Sequence, residues 1–227
     1  MSERTATALD RWSDPGTRLL WPGVVLVEAS LVVAYFAVTT AEPATGRYLV
    51  YPFVWINAGL WAVDRTTPAP GSRRHRWLAA GLAAGYFLLV MWIPGQIRLG
   101  TVRPDHLGFG LQHLRVAWQA PGWGPVLAYD GVLRLYLVPF EVVGYAALAY
   151  LVYATLLDAT RGALSGALGL ATCVGCTVPV VAPLAGLLGG PATGLATTAY
   201  AWSYDIGTIL FLLTLGLLYR SHREGRS

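Results

Sequence analysis

The sequence predicts an all-α integral membrane protein, built as a bundle of six transmembrane helices with both termini in the cytoplasm. Three observations lead to this prediction. Of the 227 residues, 55% are hydrophobic and 12% are charged, whereas a typical soluble domain has about 25% charged residues. The hydrophobic residues form long runs, and most of the arginines lie between those runs. Composition and distribution together indicate a chain whose main surroundings are the lipid bilayer.

Six apolar runs approach the length of about 20 residues that a helix needs to cross a membrane. The predicted spans are about 19–40, 48–63, 77–97, 131–157, 163–188 and 195–219. Residues 1–18 then form an N-terminal arm, and residues 220–227 form a C-terminal tail. Gly81 and Gly85 are four residues apart, a spacing that lets transmembrane helices approach closely.

The positions of the arginines give the orientation. All sixteen basic residues are arginine, and eleven of them fall in the N-terminal arm, the second and fourth loops and the tail. The other five fall on the opposite side. The positive-inside rule therefore places both termini in the cytoplasm of a multi-pass protein of the cell membrane. Because the arginines form no patch, the net charge of +4 does not indicate a nucleic-acid partner.

The third loop, from about residue 98 to residue 130, is the longest segment outside the predicted spans. Its central stretch DHLGFGLQHLRVAWQ places Leu107, Leu111 and Leu114 on one face of a helix. An amphipathic helix of this kind lies in the plane of the membrane surface. The pattern therefore predicts a short surface helix in this loop.

Polar residues inside predicted spans are the first candidates for function, because an ionisable group in a membrane is costly. These residues are Glu28, Asn57, Glu141 and Asp205. One interpretation is a proton-handling or cation-handling centre in the middle of the bundle. The other is structural: each carboxyl is neutral and is hydrogen-bonded to a tyrosine. The tyrosines available for that role are Tyr35, Tyr145, Tyr200 and Tyr204.

The two cysteines of the chain lie three residues apart in the fifth run, in the stretch LATCVGCTVPVVAP. Residues at this spacing share one face of a helix, about 5–6 Å apart. The thiols of Cys173 and Cys176 can therefore bind one soft metal ion, and Cu(I) is the ion that two sulfurs can satisfy. Zinc would need further ligands from the intramembrane acids. A disulfide or simple packing are the other interpretations of the pair.

Two prolines interrupt the helix next to these cysteines. Pro179 has no N–H to donate to the carbonyl of Gly175, which lies between the two thiols, and Pro183 likewise frees the carbonyl of Pro179. A free carbonyl inside a membrane is tolerated only against protein, water or a ligand. Interrupted helices of this kind often form ion and substrate sites.

The run CVGCTVP resembles the cysteine–proline segments of thiol-electron transporters of the DsbD/CcdA type. That family places its two redox cysteines on different helices, whereas Cys173 and Cys176 share one run. Over most of its length, the chain resembles uncharacterised six-span membrane proteins of haloarchaea, which have a central CxxC followed by prolines and a Ser-Tyr-Asp in the last span. This resemblance implies an association with the terminal oxidase and with its copper and haem assembly.

Four hypotheses for function follow. The first is handling of a soft metal ion, with copper as the expected metal, in transport or in terminal-oxidase assembly. The alternatives are a non-catalytic accessory subunit of a membrane complex, a thiol–disulfide electron carrier, and a proton-coupled transporter that uses the intramembrane acids. The sequence shows no nucleotide-binding loop, hydrolytic triad or haem-attachment motif, so we assign no enzymatic activity.

Overall fold

Helices and a small antiparallel sheet alternate along the chain in the computed structural model, which describes residues 15–41, 46–99, 113–159 and 202–224. The helices in these ranges are α1 (Pro15–Val38), α2 (Gly46–Asp64), α3 (Arg73–Trp92), α4 (Pro139–Ala159) and α5 (Ser203–Glu224). The strands are β1 (Ile97–Leu99), β2 (Leu114–Ala117), β3 (Val126–Asp130) and β4 (Leu133–Leu137). The chain divides between Leu49 and Val50, so α1 belongs to the first unit, and the sheet and helices α3 to α5 belong to the second.

Helices α4 and α5 run in parallel through the second unit. At their beginnings, the ring of Trp123 packs against both Phe140 of α4 and Tyr204 of α5. At their ends, Asp158 of α4 contacts His222 of α5. Helix α3 runs the opposite way along α4, because its first turns share a groove with the last turns of α4 and its end leads to β1.

The four strands form one sheet in the order β1-β4-β3-β2, with every neighbouring pair antiparallel. Strands β3 and β4 form a hairpin in which Asp130 pairs with Arg134, and the two side chains also form an ion pair. Strand β4 leads through Val138 directly into α4. Pro139 occupies the first position of that helix, where a missing backbone N–H costs nothing and the fixed φ favours helix initiation.

The core of the second unit consists of apolar side chains from α2, α4, α5 and the sheet. Phe140 and Leu151 of α4, Leu218 of α5 and Val126 of β3 are almost completely buried. Trp55 of α2 lies against the same cluster. The sheet therefore packs on the end of the bundle at which α4 begins.

The prediction of an all-α bundle of six transmembrane helices is wrong. The described part of the chain holds five helices, of which two are long and apolar enough to cross a membrane, and a four-stranded sheet. The error is clear in the predicted span 131–157, because its first residues belong to the hairpin and α4 begins only at Pro139. Residues 126–137 are apolar on average, but their period of two around the Asp130–Gly131 turn is typical of a β-hairpin.

The surface helix predicted in the third loop is also wrong where the structure describes it. Residues 100–112 lie outside the described ranges, but Leu114–Ala117 form strand β2, which pairs with β3. Three leucines at helical spacing are too few to distinguish a helical from a strand pattern. In the structure, residues 114–117 are extended because their backbone forms hydrogen bonds with β3. The predicted fifth span, 163–188, and the beginning of the sixth lie outside the described residues.

Close helix approach occurs at a different glycine from the predicted pair. A Cβ added at Gly81 or Gly85 of α3 would meet nothing within 4 Å. A Cβ added at Gly144 of α4 would lie only 2.5 Å from Cε3 of Trp55. The backbone of α4 therefore lies against the six-membered ring of the indole at a position that has no room for a side chain.

Two helices in the described part of the chain are long and apolar enough to cross a membrane. They are Trp21–Val38 within α1 and Pro139–Asp158 within α4. Helices α3 and α5 also expose large apolar side chains. These are Trp77, Leu78, Leu82, Leu88, Leu89 and Trp92 on α3, and Ile206, Ile209, Leu212, Leu213 and Leu217 on α5.

The contact between Gly144 and Trp55 gives the first prediction. We expect Gly144→Ala to lower the free energy of unfolding by about 1–3 kcal/mol, because the new methyl group overpacks a ring that already stacks on its other neighbours. Thermal unfolding of the purified protein in detergent, followed by tryptophan fluorescence, measures this change.

The matched control is Gly81→Ala on α3, where an added Cβ meets no atom. This variant should be neutral or more stable by up to about 1 kcal/mol, because alanine is the better helix former. Equal melting temperatures for the two variants would show that α4 does not press on Trp55.

Candidate functional site

Glu141 lies in the first turn of α4 and is buried, with 8% of its surface exposed. The side-chain amide of Gln96 donates a hydrogen bond from Nε2 to Oε2 of Glu141. Gln96 is fixed by its own backbone, because its N–H donates to the carbonyl of Met91 (3.0 Å) and its carbonyl accepts from the N–H of Tyr136 (2.8 Å). The junction of α3 with the sheet therefore holds a neutral donor against a buried acid.

Asp205 occupies the corresponding position in the first turn of α5. The hydroxyl of Tyr51 in α2 donates a hydrogen bond to Oδ1 of Asp205. The ring of Tyr51 is buried and stacks on that of Tyr204, with 6.4 Å between the ring centroids. Glu141 and Asp205 thus lie at the beginnings of two parallel helices, where the positive end of the helix dipole favours a negative charge.

Aromatic side chains form the surroundings shared by the two acids. The indole of Trp55 stacks on Phe211 at 4.2 Å, meets Phe140 and Tyr145 edge-on at 5.6 Å, and donates from Nε1 to Oγ1 of Thr208 at 3.0 Å. Tyr145 lies one helical turn after Glu141, and its ring meets that of Trp55 edge-on. We refer to the two hydrogen-bonded pairs Glu141–Gln96 and Asp205–Tyr51 as the acid–aromatic cluster; the neighbours of both acids in the chain, Phe140 and Tyr204, contact Trp123.

The chemistry of this cluster is that of groups that exchange protons or bind cations. In the described part of the chain, no basic side chain lies within ion-pair distance of Glu141. Its partner, the amide of Gln96, can donate to a carboxylate or accept from a protonated acid, so it suits both states of Glu141. Oε1 of Gln96 is buried and has no hydrogen-bond partner among the described residues, which leaves an acceptor for such a proton.

The structure separates the residues that the sequence predicts as one mid-membrane centre. Glu141 and Asp205 lie in one cluster, at helix ends and not at helix middles. Glu28 is half-buried on α1 in the first unit, and Asn57 is half-buried on α2. The predicted metal-binding and helix-breaking residues lie outside the described ranges: Cys173, Gly175, Cys176, Pro179 and Pro183.

Sequence reasoning also missed the partners of the two acids. The structural interpretation expected tyrosines from a set that does not include Tyr51, and it did not consider Gln96. Tyr51 lies one turn before Trp55 on α2, so a helical pattern of aromatic residues was the available signal. Nothing in the local sequence marks Gln96, because its role depends on the fold that brings the end of α3 to the start of α4.

A second pair of ionisable residues lies at the opposite end of α4 and α5. Asp158 and His222 are both buried, and Oδ2 of Asp158 contacts Nδ1 of His222. Within the described ranges, no three His, Cys, Asp or Glu side chains come together as a set of metal ligands.

The bond between Tyr51 and Asp205 gives the second prediction. We expect Tyr51→Phe to lower the free energy of unfolding by about 1–3 kcal/mol, because the buried ring stays in place while a carboxyl oxygen loses its donor. Thermal unfolding in detergent measures the loss. Tyr136→Phe, at an exposed position on β4, is the control and should change stability by less than about 0.5 kcal/mol.

Comparison with known proteins shows one relationship for this chain. Residues 1–225 match a family that is described as a family of unknown function, DUF7546. No curated protein and no solved structure matches the chain. Because the match extends over nearly the whole sequence, the protein belongs to the DUF7546 family.

Proposed function

We propose that the protein is a multi-pass protein of the cell membrane, and that it couples transport of a cation to proton uptake and release at Glu141 and Asp205. The observation that carries this proposal is the burial of Glu141 against a neutral amide in an apolar helix. A buried carboxylate without a counter-charge is costly. Glu141 therefore needs either a proton or a bound cation, and exchange between the two is the basis of coupled transport.

The apolar surfaces of the helices support the membrane location. Two helices have the length and composition of membrane spans, and three helices expose large apolar side chains such as Val33, Leu82 and Leu213. Monomeric soluble proteins rarely expose large contiguous apolar patches. A lipid bilayer is the environment in which several helices can expose apolar side chains on their outer faces at the same time.

The neighbours of Glu141 support a role beyond packing. An acid that only holds helices together needs a partner that satisfies it in one protonation state. Gln96 can serve both states. Tyr145, one helical turn after Glu141, and Tyr204, next to Asp205 in the chain, carry further hydroxyls that can pass a proton. Ionisable residues inside membrane proteins commonly mark such proton relays.

The third prediction tests this proposal in liposomes that contain the purified protein and a trapped pH-sensitive dye. Na⁺, K⁺ and Cu(I) are supplied outside in turn, and the dye reports proton movement. We expect Glu141→Gln to slow the cation-dependent proton flux by roughly tenfold or more, because a positioned proton-transfer group contributes about a hundredfold or more to a rate. Asp205→Asn should slow the same flux.

The control is Asp64→Asn, at the exposed end of α2, which removes one acid without touching the cluster. Its flux should equal that of the wild type. A Glu141→Gln protein that is folded and transports at the wild-type rate would disprove the proposed role of Glu141. An absence of flux with every cation would favour a non-catalytic accessory subunit, for which the acids serve packing.

Handling of a soft metal ion, with Cu(I) as the expected metal, is a second candidate function. It rests on the sequence of the fifth apolar run, where Cys173 and Cys176 have the spacing of a two-sulfur site and Pro179 interrupts the backbone. Empty thiols release protons when they bind a metal, and Glu141 or Asp205 can take up those protons. If Cu(I) is the transported cation, the two candidate functions describe one activity, in which the cysteines bind the metal and the acids take up the protons.

The fourth prediction concerns metal content. Elemental analysis of the wild-type protein, purified from copper-supplemented cells, should find about one copper per chain. The Cys173→Ser/Cys176→Ser double variant should contain none, while a count of free thiols gives the state of the cysteines. Two free, unreactive thiols and no metal would contradict the metal site, and a disulfide without metal would favour a thiol–disulfide electron carrier.

A further inference from the structure

A groove lies between the first turns of α3 and the last turns of α4, at the end of these helices opposite to Glu141. Its volume is about 510 Å³, which is within the usual range of sites for small molecules and cofactors. Among the described residues, those that line it are Gly71, Arg73, Arg76, Trp77, Ala80 and Tyr153. None of them belongs to the acid–aromatic cluster.

One wall of the groove is a single face of α3. Its residues are Arg73, Arg76, Trp77 and Ala80, at positions i, i+3, i+4 and i+7, which share one side of a helix. Tyr153 of α4 forms the facing wall. Gly71 lies in the loop before α3, where an added Cβ would be in van der Waals contact with Cδ2 of Leu157 at 3.4 Å.

The loop before α3 is fixed in place next to the groove. The hydroxyl of Tyr150 in α4 donates to the carbonyl of Thr66 at 3.0 Å. Ser72 caps α3, because its Oγ accepts from the backbone N–H of His75 at 3.4 Å. The groove is therefore formed by ordered backbone on both sides and does not depend on a ligand for its shape.

The groove is strongly basic. Arg73 and Arg76 lie one turn apart on the same face, and both are exposed. In the part of the chain that the structure describes, no carboxylate lies within ion-pair distance of either guanidinium, and no acid lines the groove. Two planar guanidinium groups offer paired N–H donors whose geometry matches the oxygens of a phosphate.

The surroundings of the groove indicate where such a phosphate comes from. Trp77 is 70% exposed, and Leu78 and Leu82 are exposed in the following turns of α3. Tryptophan side chains prefer the boundary between headgroups and acyl chains. Basic pockets between transmembrane helices are known to bind anionic lipid headgroups. An apolar surface thus continues from a basic pocket in the direction that acyl chains would take.

We propose that the groove binds a phosphate group, supplied by the headgroup of an anionic phospholipid, between Arg73 and Arg76. This inference rests on the membrane location proposed above and not on the transport activity. Trp77 and the exposed leucines of α3 then contact the acyl chains, while Tyr153 closes the groove from α4.

The fifth prediction tests lipid binding by native mass spectrometry of the full chain in detergent. Phosphatidylglycerol is titrated against phosphatidylcholine, which carries the same phosphate but no net charge. We expect phosphatidylglycerol to bind at concentrations at which phosphatidylcholine does not. Arg73→Gln/Arg76→Gln should weaken that binding by roughly tenfold or more. Arg74→Gln, on the same turn but outside the groove, is the control and should stay within about twofold of the wild type.

Inorganic phosphate and glycerol phosphate, added as competitors, distinguish the two sources of the phosphate group. Lipid binding that persists against a large excess of either supports the headgroup. Binding of inorganic phosphate that is lost in the double variant, without preference for phosphatidylglycerol, would overturn the lipid assignment. Equal loss in Arg74→Gln and in the double variant would overturn the groove, since it would show attraction to general positive charge.

The lipid-binding experiment can succeed or fail independently of the transport experiment. Glu141→Gln should bind phosphatidylglycerol as the wild type does, because its side chain lies at the other end of α4. Loss of transport in Glu141→Gln with normal lipid binding supports both proposals. Normal transport in Glu141→Gln together with selective lipid binding leaves the groove supported and contradicts only the role of the acid.

Discussion

The close approach of α2 to α4 at Trp55 is the contact on which the second unit depends. The indole ring lies against the backbone at Gly144, stacks on Phe211 of α5 and donates a hydrogen bond to Thr208. One side chain therefore sets the spacing of three helices. Because Glu141 and Asp205 begin two of those helices, the relative position of the two acids follows from the same packing.

The course of the helices separates two kinds of chemistry along α4. This helix has 21 residues, which gives it a length of about 30 Å, close to the thickness of the hydrocarbon core of a membrane. Glu141 lies near its beginning and Tyr153 in its last turns. A neutral amide faces the acid at one end, and arginines on α3 face the groove at the other. The two ends of α4 therefore differ in charge: a buried acid lies at the beginning, and two arginines line the groove at the end.

Sequence reasoning located helices better than it located the site. The run 48–63 lies within the helix α2, although it contains Pro52, Asn57 and Gly59, because apolar and aromatic residues dominate it; α2 is not one of the two helices long and apolar enough to cross a membrane in the described part of the chain. Sequence reasoning failed at residues 126–137. There it relied on the high average hydropathy and overlooked two hairpin signals, the period of two in the side chains and the Asp-Gly turn. Glu141 and Asp205 were identifiable as costly acids. Gln96 was not, because pairing residues 45 positions apart requires the three-dimensional path of the chain.

The loop between β2 and β3 contributes to the surroundings of the two acids. Its Trp123 packs on Phe140, the residue before Glu141, and on Tyr204, the residue before Asp205. A Cβ at the preceding Gly122 would lie 2.3 Å from that of Pro52, so this loop fits α2 without spare room. The loop between β2 and β3 is therefore packed against the residues that precede both acids, and a larger side chain at Gly122 would displace Trp123 from this position.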